Sequence, residues 1–195
     1  MKSSRRKKFT EGFSIIEMLV AITVFSMVMV IAVGALLTMV DANRKAQALG
    51  SVMNNLNFAL ESMTRNARIG TSYHCENDTT PTNIVAPLDC PSGGVLFAFE
   101  PFNGNPSIAS DQVVYRLRNQ RLERSVNGGS TFVAVTAVEV QIESLTFRVV
   151  GAPRAPIDTL QPKLVVTLRG TAGTSPRVKT TFALQTVVSQ RVFDI

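Results

Sequence analysis

The sequence predicts an α+β chain in which one long N-terminal helix, membrane-spanning in its first half and amphipathic in its second, packs on an antiparallel β-sheet head. Three observations carry that reading. Residues 18–40 form 23 consecutive positions without a charge. Leu49, Met53, Leu56, Leu60, Met63 and Ala67 then step by 4, 3, 4, 3 and 4, which is one apolar stripe on a helix. Beyond Gly94 the period changes to two, as in Leu164, Val166 and Leu168, the signature of half-buried strands. A length of 195 residues suits one domain with an appendage.

The uncharged run explains why 45% of the chain is apolar and only 17% charged. As a helix it would span about 35 Å, against a hydrocarbon core of about 30 Å, so the chain meets a membrane. Lys2, Arg5, Arg6, Lys7 and Lys8 less Glu11 place +4 of the +6 net charge in the first twelve residues. A basic cluster directly before an apolar helix holds an N-terminus on the cytoplasmic side. With no Trp, two Tyr and no basic run interleaved with aromatics after that cluster, no surface for reading nucleic acid is expected.

Three readings compete for this N-terminus. A secretory signal peptide would be cut after Ala35, at Val33-Gly34-Ala35, but the apolar run continues to Val40 and Glu17 interrupts the passage from basic to apolar. A plain signal anchor tolerates the length and leaves Glu17 unexplained, since an unpaired carboxylate near lipid is expensive. The third reading rests on Lys7-Lys8-Phe9-Thr10-Glu11-Gly12-Phe13-Ser14-Ile15-Ile16-Glu17-Met18-Leu19-Val20-Ala21-Ile22. This joins a basic leader, a glycine, an aromatic, a glutamate four residues after that aromatic, and an apolar helix. It resembles the prepilin leader of the type IV pilin and type II secretion pseudopilin superfamily.

The resemblance implies cleavage by an inner-membrane prepilin peptidase between Gly12 and Phe13, then N-methylation of Phe13. It also implies that the Glu17 carboxylate pairs with an amine of a neighbouring subunit and sets the axial register. The implied partners are the peptidase, other pilin or pseudopilin subunits through the N-terminal helix, an inner-membrane assembly platform and membrane lipid. The implied location is a single-pass inner-membrane protein with an extracytoplasmic head, and an extracytoplasmic filament after assembly. Gly12 suits a protease because it leaves the backbone bare; otherwise it is an ordinary loop glycine. Glu17 also suits the positive end of a helix dipole.

No proline interrupts residues 13–69, so one helix is expected over them, about 85 Å long, with Arg65 and Arg68 at its negative end and Gly70 as C-cap. The segments are then a cleaved basic leader (1–12), a transmembrane and assembly helix (13–40), an amphipathic helix on the head (41–70) and a loop-and-sheet head (71–195). Residues 71–94 turn to Thr, Asn, Asp, Pro, Ser and Gly and read as a long loop holding Cys75 and Cys90. Outside the cytoplasm the expectation is a disulfide that staples this loop; the alternatives are free thiols or a metal pair with His74, for which the spacing is a weak signal.

Strands are expected over 95–100, 112–118, 120–126, 132–136, 138–150, 163–169 and 177–191, with turns at Asn119, at Asn127-Gly128-Gly129 and at Thr171-Ala172-Gly173. The stripe from Leu49 to Ala67 covers their apolar face, a two-layer head and the pilin-like architecture that the resemblance implies. Tyr115-Arg116-Leu117 with Leu122-Glu123-Arg124, Ile142-Glu143-Ser144-Leu145-Thr146-Phe147, and the terminal run from Leu184 through Arg191 are similar to the larger minor pseudopilins and minor pilins near a fibre tip. The expected function is a structural subunit of a type IV pilus-like or type II secretion filament; the competing one is a bitopic envelope protein whose head binds without polymerising. No enzyme, cofactor or metal is expected: there is no Gly-x-Ser-x-Gly elbow, no phosphate-cradling glycine loop and no close carboxylate pair, and Asp78, Asp89, Glu100 and Asp111 read as scattered solvated charges.

Overall fold

The computed structural model describes residues 12–154, 156–173 and 179–192. The basic leader up to residue 11, the expected start of the last strand at Arg177 and residues 193–195 lie outside the described residues. Two compact units divide the chain, one up to Asn43 and one from Arg44 onward.

Helix α1 spans Ile15–Ile69, and its first backbone bond runs from Met18 N–H to the Ser14 carbonyl at 3.2 Å. It therefore begins two residues later than expected. In the first unit every residue from Gly12 to Asn43 is exposed, although nearly all are apolar. Thr23 and Thr38 donate their hydroxyls to the carbonyls of Val20 and Ala35, each at 2.8 Å, so these polar groups are satisfied within the helix. A helix that is apolar all round and internally hydrogen-bonded is what hydrocarbon selects. Among the described residues it is the one helix long and apolar enough to cross a membrane.

In the second unit α1 buries Val52, Leu56, Ala59, Leu60, Met63 and Ala67. The buried line is rotated slightly from the expected stripe: Leu49 and Met53 are half-buried, and Val52 and Ala59 take the inner positions. Glu61 and Arg65 pair at 2.6 Å on the outer face, an i,i+4 ion pair in solvent. Gly70 follows the helix where the later segment of Phe99 and Glu100 approaches closely, since a Cβ there would lie 2.5 Å from Phe99 Cδ2 and 2.7 Å from the Glu100 carbonyl.

Among the described residues eight strands follow: β1 Thr71–Glu76, β2 Leu96–Glu100, β3 Val113–Arg118, β4 Arg121–Ser125, β5 Val133–Ala134, β6 Val140–Val150, β7 Lys163–Ala172 and β8 Thr180–Ser189. They form two antiparallel meanders, β1-β2-β3-β4-β5 and β6-β7-β8. This corrects two expectations. Residues 71–94 are not loop throughout, because β1 lies within them, and the head holds two sheets where the period-two pattern alone implied one. The sheets are joined by reciprocal bonds between Gly94 and Phe147 (2.7 and 2.9 Å) and by Ile142 N–H to the Gln120 carbonyl (2.8 Å).

The β3–β4 hairpin closes through Asn119 and Gln120, both at positive φ (48° and 59°), the two-residue turn whose twist matches the strands. In β6 the register shifts between Ile142 and Ser144, and the buried set changes phase from Val140 and Ile142 to Leu145, Phe147 and Val149. One core collects the α1 face and the inner residues of both sheets. Within it Phe97 lies 5.3 Å from Tyr73, 5.4 Å from Phe99 and 5.7 Å from Phe147 between ring centres. A smaller cluster of Ile84, Leu96, Ala98 and Val114 covers the opposite face of the first sheet, which is why all five residues of β2 are buried.

Candidate functional site: the N-terminal junction and the stapled head

Gly12, Phe13 and Ser14 are non-helical, and Phe13 is 80% exposed. Glu17 falls in the first turn of α1, where the unpaired N–H groups favour a carboxylate. It forms no ion pair among the described residues. Nothing lies within 4 Å of the place a Cβ would take at Gly12. Packing among the described residues therefore sets no demand for glycine at 12. The junction is an open backbone leading into an exposed apolar helix.

In the head, Cys75 and Cys90 are joined by a disulfide with Cα atoms 5.6 Å apart. Both sulfurs sit near the Phe147 carbonyl oxygen, and Cys90 N–H donates to the Val149 carbonyl at 3.0 Å. Cys75 N–H donates to Leu88 and Leu88 N–H to Tyr73, both at 3.0 Å, so the connection after β1 returns along that strand. The bridge thus lies where the first sheet meets β6, more than a staple within one loop. His74, beside it and 3% exposed, holds Nδ1 2.7 Å from the Ala86 carbonyl, and its Nε2 is 3.6 Å from Glu76 Oε2. Tyr73 donates its hydroxyl to the Ala67 carbonyl at 2.6 Å, capping a carbonyl in the last turn of α1. Burial pushes the Tyr73 phenol well above its ordinary range, against a smaller lowering by Arg68.

Removing the bridge as Cys75→Ala with Cys90→Ala is expected to lower stability by about 3 kcal/mol, given the sequence separation of 15. Strand content should stay, because the β1–β2 ladder does not need the sulfurs. Thermal unfolding of the full chain in detergent followed by circular dichroism checks both; an unchanged midpoint removes the bridge from the account of stability.

Of the four carboxylates read as solvated charges, Asp78 is exposed, and Asp89, Asp111 and Glu100 are not. Asp89 accepts the N–H groups of Gly151 and Ala152 at 3.1 and 2.8 Å. Glu100 is 1% exposed, and Asp111 stands near enough to raise its pKa further above the value that burial already lifts. Glu100 is therefore a buried carboxylate and not the solvated charge that was expected. The sequence signal was faint: a glutamate closing the apolar run Leu96-Phe97-Ala98-Phe99.

The family model for the prokaryotic N-terminal methylation motif matches residues 7–33, a stretch that contains Gly12, Phe13 and Glu17. No curated protein and no solved structure matches the chain.

Proposed function

We propose, from the premise that residues 7–33 carry the N-terminus of the type IV pilins and pseudopilins, that the chain is a structural subunit of a type IV pilus-like or type II secretion filament, a minor one near the tip. The single observation that carries this reading is the matched motif, whose Gly12-Phe13 junction is open and leads into a helix long and apolar enough to cross a membrane. Prepilin peptidase cuts between Gly12 and Phe13, and the new amine of Phe13 is methylated. The basic leader stays cytoplasmic and the head lies outside the inner membrane. Glu17 pairs with the N-terminal amine of a neighbouring subunit, in surroundings where an unpaired charge is costly. The head serves packing and recognition, not catalysis. The looser likenesses at Tyr115-Arg116-Leu117 and at Leu184 through Arg191 support the minor role.

Mass spectrometry of the membrane fraction tests this. The expected N-terminus is N-methylated Phe13. An intact Met1 would make the chain a signal-anchored protein that does not polymerise, and a cut after Ala35 would make the apolar segment a signal peptide.

A further inference from the structure

Among the described residues β1, β5, β6 and β8 form the sheet edges of the head, and the first three are covered or short. The outer side of β1 is bonded to the segment at Leu88, β6 is bonded to Gly94 and Gln120, and β5 is two residues long. Strand β8 is the exception. It runs for ten residues, pairs with β7 without a register break, and holds no charge, proline or glycine. Proteins ordinarily keep a free edge short, bulged or charged, because an open edge pairs with another chain.

The ladder fixes which groups face outward. Gln190 N–H donates to the Pro162 carbonyl at 3.0 Å, so alternation along the unbroken register makes Phe182, Leu184, Thr186 and Val188 the residues that bond to β7. The N–H and C=O groups of Thr181, Ala183, Gln185, Val187 and Ser189 then point away from β7. No hydrogen bond from elsewhere among the described residues reaches them. The next outward N–H, that of Arg191, is taken by the Arg68 carbonyl at 2.7 Å, so the free edge stops at Ser189.

A strand added here must fit between Thr181 and Ser189. We propose that its occupant is a second copy of β8, running antiparallel across a two-fold axis at Gln185. About that point the edge is complementary to itself: Thr181 meets Ser189, Ala183 meets Val187, and Gln185 meets its own counterpart. On the core side Phe182 meets Val188, and the half-buried Leu184 and Thr186 are covered. Every outward N–H and C=O of the free edge finds a partner, and an uncharged strand brings no like charges together. The length and register of the edge are matched by the edge itself, which favours a second copy over a foreign strand. The pairing needs neither cleavage nor filament assembly, so it stands or falls separately from that reading.

Gln185→Cys in the full chain in detergent tests the pairing, since the native cysteines are already bridged and the new thiol is free. Residues opposite each other in a hydrogen-bonded pair have Cα atoms about 5.5 Å apart, within reach of a disulfide. Mild oxidation should give a covalent dimer on a non-reducing gel. Thr181→Cys should give almost none, because its two copies lie about 27 Å apart in this register. Val187→Pro, added to Gln185→Cys, removes an N–H that β7 does not use, so circular dichroism of the head should stay while the dimer falls about tenfold or more. Ala183→Lys with Val187→Lys leaves the backbone unaltered, sets lysine opposite lysine, and should also lower the yield; this pair decides if the proline disturbs the head. No covalent dimer from Gln185→Cys overturns the proposal, as does an equal yield from Thr181→Cys or a yield that the lysine pair leaves unchanged.

Discussion

A Gly12→Val chain is expected to accumulate at full length in the membrane, with the processed form falling from nearly all of the protein to about none. Among the described residues nothing lies within 4 Å of a Cβ at position 12, so they accept the valine. The loss would therefore report on the peptidase, whose active site must approach the backbone where a branched side chain now stands. Gly12→Ala, with a single methyl group, should be processed slowly. Intact-mass measurement of both variants checks this, and normal maturation of the valine chain would take Gly12 out of its assigned role.

Glu17→Ala should separate maturation from assembly. Cleavage and head folding should be unaffected, because Glu17 makes no ion pair among the described residues and its surroundings are exposed. Incorporation into filaments should drop about tenfold or more. Removing one member of a buried ion pair strands the other, at about 3–5 kcal/mol when desolvation is complete. Glu17→Gln should fall nearly as far, since it keeps the shape and loses the charge. The ratio of sheared filament to membrane-bound protein measures the effect; equal incorporation of variant and unaltered chain would leave Glu17 as a first-turn glutamate that favours the helix dipole.

The long helix was legible because both of its periods are local: an uncharged run that needs no partner to be recognised, then a stripe whose steps alternate between three and four. Its inner line was displaced by part of a turn toward Val52 and Ala59, since the stripe marks the apolar side and the two sheets beneath choose which residues go deepest. Strand β1 was not legible. In Thr71-Ser72-Tyr73-His74-Cys75-Glu76 the polar residues are buried as well, because the returning segment around Leu88 covers one side and the core the other, so no alternation survives. The division into two sheets depends on where Gly94 meets Phe147, a contact between distant residues that leaves no periodic trace. At the N-terminus the motif was readable without the fold, since its residues 7–33 are contiguous in the sequence. The burial of Glu100 was hidden for the opposite reason: only folding brings Asp111 near it.

Every strand of the head pairs with its neighbour in sequence, in β1 through β5 and again in β6 through β8. Contact order within each sheet is accordingly low, and each hairpin can form as soon as its two strands have been synthesised. Cys75 and Cys90 emerge before most of the first sheet and before any of the second. Oxidation can close the small ring early, and β6 then docks its Phe147 and Val149 carbonyls against a template already cross-linked. Chain synthesis thus runs in the same direction as assembly of the head, which keeps unpaired strand edges short-lived.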